Sequence, residues 1–330
     1  MGSNTRQKGS DAQRQAYEHA SASFAWKAGA AILGVDIDSD LKAAYNEVRA
    51  GKGIVLIRGL PVAGSLEQFV DAVWEIGKHF GHALSQNAQG ELIGHVVDAT
   101  KEDPTPRMYR SNLELRPHND ITAMISLACW QKARSGGASV VVSGVTVHDE
   151  MRRRAPQLLA PLYRGYHYHR LGEEGPDEEP STPYRVPVFG NRNGQLSVRY
   201  QRAGIAAGHR ERGVPLTQED IAAFNLFDEI AKAPENRLSF YLERGEMMLI
   251  NNYAVMHARS EFTNPPEPER QRRLVRLWLD APGFRDVPGE FNLFKTNGVP
   301  PQKGKRASYD FRKLYAEDPA ASGGIPKIDA

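Results

Sequence analysis

A mainly β architecture with flanking helices is the fold class this sequence predicts, on three observations. The first is a series of short apolar, β-branched runs closed by turn residues: Gly53–Gly59 (GIVLIRG), Ile121–Trp130 (ITAMISLACW), Ala138–Val142, Met247–Asn252 and Arg272–Asp280. The second is that helical periodicity is confined to a few stretches between those runs. The third is that two fragments rich in potential ligands, His118-Asn119-Asp120 and Asn251 to His257, each stand at an end of a strand-like run.

Taken in order, residues 1–20 are polar, carry no packing signal and are expected to be mobile, leaving 21–330 as one domain. Residues 40–50 read as a helix, and the strand at 53–59 is closed by Gly59 and Pro61. Leu66 to Phe80 repeats apolar residues at three- and four-residue intervals, an amphipathic helix. A loop rich in Asp, Pro and Thr (98–107) precedes Leu113–Pro117, which lead into His118. Gly136-Gly137 turns the chain into 138–142, Thr146 to Leu162 reads as helical, and Tyr163 to His169 as an alternating strand. The acidic, Pro-rich stretch 171–187 (LGEEGPDEEPSTPYRVP) is expected to be a flexible surface loop or flap. Val188-Phe189 and Gln195–Tyr200 form a hairpin around residues 190–194, and Thr217 caps the start of a helix. Met247 to Asn252 is a buried strand that delivers His257 from the loop beyond it, and the tail after Pro282 receives no catalytic part.

Composition narrows the function classes. Among 330 residues, 42 Lys plus Arg face 40 Asp plus Glu, so a net charge of +2 gives no case for a nucleic-acid or membrane partner. No apolar stretch approaches the 18 or so residues of a membrane span. The N-terminus, MGSNTRQKGSDAQRQ, lacks a signal peptide's apolar core, and the single cysteine, Cys129, suits a reducing compartment, which points to the cytoplasm. The expected partner is a small-molecule substrate; a homo-oligomer is left open.

His118 and Asp120 are spaced i and i+2, so on a strand both point to one face while Asn119 points away. With the distant His257 they would give two imidazoles and one carboxylate on one side of a metal, the set used by non-heme Fe(II) oxygenases. In Arg272-Arg273-Leu274-Val275-Arg276, residues 272 and 276 share a strand face, and a guanidinium fork suits bidentate carboxylate binding. Arg270 and Arg273 read better as a solvated edge.

The order HxD, then Gly136-Gly137-Ala138-Ser139, then ERGEMMLINNYAVMHAR (243–259), then RRLVRLWLD (272–280) resembles the taurine/2,4-D dioxygenase family of Fe(II)/2-oxoglutarate-dependent oxygenases, from about Gly53 to Asp280. That resemblance implies a double-stranded β-helix, a jelly roll of two facing antiparallel sheets with helices outside. It implies that His118, Asp120 and His257 bind Fe(II), that Arg272 grips the distal carboxylate of 2-oxoglutarate, and that Ser139 stands where the family often has a threonine hydroxyl on that carboxylate. Arg276 matches a second pocket arginine that holds the substrate's anion in sulfonate-oxidising relatives. The implied reaction consumes 2-oxoglutarate and O2, releases succinate and CO2, and hydroxylates an unactivated carbon; desaturation, cyclisation or epimerisation can occur on the same kind of centre. An aspartate at 120 leaves no room for the halide of halogenating relatives.

Two other classes remain for the same residues: a metal-dependent hydrolase, which would not need Arg272, and a non-catalytic cupin-like binding protein. The substrate is not named by the sequence. Substrate-side candidates are Tyr109, Ser111, Asn112 and Glu114, Arg199 and Tyr200, Asn251 and Asn252, and Arg276, a polar set that suits a small amino acid, carboxylate, sulfonate or phosphonate. His167 and His169, and the cluster His148-Asp149-Glu150, have ligand-like spacing but no matching arginine. The first pair belongs to the alternating strand and the second to a helix start. His79 and His82 flank the end of the 66–80 helix, where one of them could line the pocket.

Overall fold

The computed structural model describes residues 22–39, 41–103 and 107–304; the N-terminal segment 1–20 expected to be mobile lies outside them. The first half runs β1 (Leu33–Asp36), α1 (Leu41–Ala50), β2 (Ile54–Arg58), α2 (Leu66–Lys78), β3 (His82–Ala83), β4 (Ile93–Val96), β5 (Leu115–His118), β6 (Met124–Gln131), β7 (Ser135–Gly136) and β8 (Ser139–Ser143). It continues through α3 (Gly144–Arg154), α4 (Leu159–Arg164), β9 (Phe189–Arg192), β10 (Gln195–Val198), α5 (Arg202–Glu211) and α6 (Gln218–Lys232). The last strands are β11 (Arg237–Phe240), β12 (Met247–Asn251), β13 (Val255–Arg259), β14 (Phe262–Thr263) and β15 (Arg273–Asp280).

Two sheets carry the molecule. The larger has the order β1-β2-β12-β6-β15-β3, with β4 also on β15, and the smaller has the order β11-β8-β13-β5. Every pairing in them is antiparallel except β1 with β2. This is the jelly roll expected, and strand alternation explains its layers. On β15, Leu274 and Trp278 join Val140 and Val142 of β8 in the inner core, while Val275, Leu277 and Leu279 face outward onto Phe69, Val73 and Ile76 of α2. α2 starts where it should: the Ser65 hydroxyl accepts from Gln68 N–H and the Gln68 side chain accepts from Ser65 N–H. α6 is capped in the same way by Thr217 and Asp220.

Several local expectations fail for identifiable reasons. The 146–162 helix is two, because Ala155-Pro156 ends α3 and a short 3-10 turn intervenes before α4. Residues 163–169 are not a strand; they make only isolated bridges, Tyr166 with Val186 and His169 with Ser181. α5 and β11 were not anticipated. The hairpin is β9–β10, and its Asn193-Gly194 corner takes positive φ values of 50° and 78°. The 171–187 loop holds no regular element, but buried Arg170 clamps it by donating to the carbonyls of Leu293, Glu179 and Ser181. The tail after Pro282 is not a bystander, because it lies along this loop: Tyr184 donates to Asn292 O and Lys295 N–H to Glu178. Among the described residues no helix is long and apolar enough to cross a membrane.

Candidate metal centre

The site forms where the chain leaves the smaller sheet for the larger. β5 ends at His118, and Asn119 and Asp120 lie beyond it, ahead of β6 in the other sheet. The HxD unit is therefore a strand end plus a turn rather than three strand residues. His257 is likewise not in a loop: residues 252–254 turn the chain from β12 to β13, and His257 sits within β13, directly opposite His118. Cross-strand pairing, which single-strand patterning does not reveal, brings the two rings to 4.3 Å between centroids.

Asn252 builds the turn that holds Asp120. Its Oδ1 accepts from Asp120 N–H at 3.1 Å, and its Nδ2 donates to Asp120 O at 2.6 Å and Thr122 O at 2.7 Å. Asn119 stitches the other side, donating to Asn252 O at 2.7 Å and accepting from Tyr200 N–H at 3.0 Å. Asn252 is fully buried, so its side chain serves the backbone of the ligand loop and not a cavity. Asn251 is equally buried and donates to Val48 O.

Three ligand atoms converge. The group His118, Asp120 and His257 can place one ligand atom each within 4.8 Å of one another. His118 Nε2 is 3.7 Å from Asp120 Oδ1 and His257 Nε2 is 4.0 Å from Asp120 Oδ2. His118 Nδ1 lies 2.7 Å from Arg116 O, which holds the proton there and leaves Nε2 bare for a cation. Burial, with His118 beside it, pushes the His257 imidazole down to about 3 against the opposing pull of Asp120, so it is neutral at pH 7. Burial would raise the Asp120 carboxyl, but Arg276, His257 and His118 and the Trp278 hydrogen bond outweigh it and hold the group well below the usual carboxylate range. A neutral His257 imidazole, a His118 Nε2 left free by the Nδ1 contact and an ionised carboxylate are donors a divalent metal can take, and this donor set fits Fe(II).

Two cavities hold other candidate residues; the first is lined by His118 and Asp120, the second by none of the three ligand candidates. One, of about 100 Å³, is lined by His118, Asp120, Tyr109, Arg199 and Arg276. Trp278 Nε1 donates to Asp120 Oδ2 at 2.8 Å, and Arg276 Nη1 reaches the same oxygen at 3.2 Å. Arg276 is fixed further by Gln86 Oε1 at 2.7 Å and stacks 4.2 Å from the Tyr109 ring centroid. Leu293, Phe294 and Val299 of the tail and Glu173 of the loop complete the wall, so the tail, expected to take no catalytic part, contributes apolar lining. The second cavity, about 580 Å³, is lined by Arg272, Ser139, Asn112, Cys129 and Leu274. Asn112 thus opens on the Arg272 side, away from Tyr109 and Arg199. Arg272 is buried, stacks 5.0 Å from the Phe262 centroid, and keeps Nη1 without a hydrogen-bond partner. Gly137 admits it: with φ at +76°, a Cβ there would meet Arg272 Nε at 3.0 Å.

Of the other histidine clusters none forms a ligand set among the described residues. His148 packs on Tyr163, and His167 on His209. His79 caps α2 and His82 is exposed on β3; neither lines the two cavities. Sequence reasoning missed Trp278, Gln86 and Glu173. Trp278 alone had a signal, two residues from Arg276 on the inward face of β15.

Comparison with known proteins agrees with this geometry. The model of the taurine catabolism dioxygenase TauD, TfdA family matches residues 20–278. FR-33289 synthase of Streptomyces rubellomurinus (strain ATCC 31215) is 31% identical over 249 residues, 73% of each chain. Taurine hydroxylase-like protein SAT17 of Stachybotrys chartarum (strain CBS 109288 / IBT 7711) is 26% identical over 251 residues, 72% of this chain and 63% of that one. Among solved structures, asparagine oxygenase in complex with Fe(II), 2S,3S-3-hydroxyasparagine and succinate superposes with a TM-score of 0.53 at 17% identity, covering 86% of this chain and 98% of its own. The non-heme iron oxygenase OrfP in complex with Fe and alpha-ketoglutaric acid gives 0.55 at 13% identity, covering 73% and 79%.

Proposed function

This chain belongs to the taurine catabolism dioxygenase TauD, TfdA family, and from that premise we propose that His118, Asp120 and His257 hold the iron, Arg272 and Ser139 hold 2-oxoglutarate, and the cavity beside Asp120 receives a small polar substrate. The protein is an Fe(II)- and 2-oxoglutarate-dependent oxygenase. The observation that carries the assignment is the convergence of two imidazoles and one ionised carboxylate within 4.8 Å of one another, in a chain that also buries Arg272 with Nη1 unpartnered. When bound, the iron supplies a Lewis-acid centre where 2-oxoglutarate and O2 meet, with succinate and CO2 released and a substrate carbon hydroxylated.

The chain's own residues do the rest. Asn252 fixes the Asp120 backbone, and Trp278 and Arg276 orient its carboxylate. Arg272 offers open guanidinium donors to the far carboxylate of 2-oxoglutarate, with the Ser139 hydroxyl on the same wall. Leu293, Phe294 and Trp278 give the substrate side an apolar wall. The hydroxyasparagine complex of asparagine oxygenase and the (3S)-hydroxy-L-Arg complexes of OrfP support hydroxylation of a small polar molecule. The near-neutral charge supports a small-molecule partner without nucleic acid or membrane, and a reducing, cytoplasmic setting suits both Fe(II) and the thiol of Cys129.

The test is succinate formation by purified protein given Fe(II), 2-oxoglutarate and O2. Slow turnover without substrate is expected, abolished by chelation and by Asp120→Ala or His257→Ala. A hydrolase or a binding protein would consume no 2-oxoglutarate, and full turnover by either variant would remove that residue from the metal site.

A further inference from the structure

Four arginines line the cavity beside Asp120, and three of them meet a carboxylate. Arg107 Nη2 lies 2.7 Å from Glu173 Oε1, Arg170 Nη2 3.8 Å from Glu178 Oε1, and Arg276 Nη1 3.2 Å from Asp120 Oδ2. Arg199 differs. It is 2% exposed, forms no ion pair among the described residues, donates Nη1 to the Asp120 carbonyl, and leaves Nε buried without a partner. A buried cation is costly unless an opposite charge meets it, and the nearby carboxylate that acts on Arg199, Asp120, is already paired with Arg276.

The acids are committed as well. Glu173, 2% exposed, holds Arg107 and accepts from Ala88 N–H. Asp120 holds Arg276 and Trp278. Among the described residues these are the only carboxylates in the lining, so an incoming ammonium finds no uncommitted acceptor of opposite charge among them. Among the described residues, four guanidinium groups in the lining against Asp120 and Glu173 there and Glu178 behind Arg170 leave one positive charge in excess.

We propose that Arg199 anchors the substrate through an oxyanion terminus (carboxylate, sulfonate or phosphonate), that the substrate carries no free ammonium in this cavity, and that Arg276 is instead a positioning residue for Asp120. The assignment rests on the functional reading above. It separates this chain from the amino-acid complexes of its structural neighbours, because a zwitterion needs a second, acidic contact as well as Arg199.

Calorimetric titration of the full chain with propylphosphonate, propanesulfonate, butanoate and L-norvaline tests it, first metal-free and then with Mn(II) and 2-oxoglutarate. At least one of the three anions binds, and L-norvaline binds at least about tenfold more weakly; which anion binds best identifies the terminus. Arg199→Met lowers affinity for that anion roughly thirty-fold or more, the cost of removing one partner of a desolvated charge pair. Arg199→Lys retains part of it. Arg276→Met costs less anion affinity than Arg199→Met and lowers Mn(II) affinity instead, the readout of a positioning role. The proposal is overturned if L-norvaline binds as tightly as the anions, if Arg199→Met binds like wild type, or if none of the anions binds in either form. Should Arg199→Met not fold, the wild-type ranking and Arg199→Lys decide by the same criteria. Succinate formation without anion binding sinks this inference alone; anion binding without 2-oxoglutarate turnover sinks the functional reading.

Discussion

Arg272, which precedes β15 instead of opening it as expected, and Arg276 within β15 are four residues apart and equally buried, yet they stand in opposite electrostatic situations. Arg272 has Nη1 unpartnered in a roomy cavity with no ion pair among the described residues, and burial pulls its guanidinium down to about 10 against the opposing thiol of Cys129. Arg276 is held by Asp120 and Gln86 and sandwiched against Tyr109 and Trp278 in a tighter one. A buried cation with open donors is built for an anion that arrives and leaves. One already matched belongs to the framework that holds a ligand in place. By that criterion Arg199 groups with Arg272, and each of the two cavities presents one cation without an ion pair among the described residues.

The largest way to break the comparison is Arg272→Met. It should raise the 2-oxoglutarate concentration for half-saturation by roughly thirty-fold to several thousand-fold, since a desolvated bidentate pair is lost, while metal binding stays near wild type. Arg273→Met, on the neighbouring part-exposed position, should leave that concentration within about threefold. If Arg273 shows the loss and Arg272 does not, the cofactor wall is misassigned.

Trp278→Phe sharpens the framework side. The ring is kept and only the hydrogen bond to Asp120 Oδ2 is removed, so Mn(II) affinity should fall about tenfold to a hundredfold. Equal loss of 2-oxoglutarate affinity in metal-saturated protein would show that the two sides are not separable.

The smallest effect is on stability against pH in metal-free protein. His257 has a folded value of about 3 against an ordinary 6.5, so the unfolded chain binds the proton first. Stability is complete above about pH 6.5 and declines as pH falls from there toward 3. Asp120, also depressed, adds loss in the same direction at lower pH. Urea midpoints measured from pH 7 to 4 should therefore fall, and His257→Asn should flatten the slope; an unchanged slope would mean that His257 is not buried neutral.

How much could be read in advance depended on whether the signal was local. The cap at Thr217, the β9–β10 corner at Asn193-Gly194, and the alternation of β15 are written within a few residues and came through. The three candidate ligands, read from His118-Asn119-Asp120 and the run ending at His257, are compact motifs next to strands, and the fold brings them within 4.8 Å of one another. Misjudgements came where the outcome depended on distant pairing. Residues 163–169 alternate like a strand but find no partner strand, only two bridges to the loop that follows. Asn252 looked like a pocket residue because it is polar and close to His257 in sequence. It is consumed by the backbone of Asp120, 132 residues away.

By itself, the sequence determined the chemistry: two imidazoles, one carboxylate and an arginine after the last ligand, on a sheet-rich chain with no membrane-length helix. Only the tertiary structure decided which cation is open. Arg107, Arg170, Arg199 and Arg276 are the same residue type in sequence, and nothing around them distinguishes a paired guanidinium from an unpaired one. The distinction arises when Glu173, Glu178 and Asp120 are brought from elsewhere in the chain to three of them and not to the fourth. Burial then makes that difference matter, since a charge cut off from water must find its counterion in the fold or in the ligand.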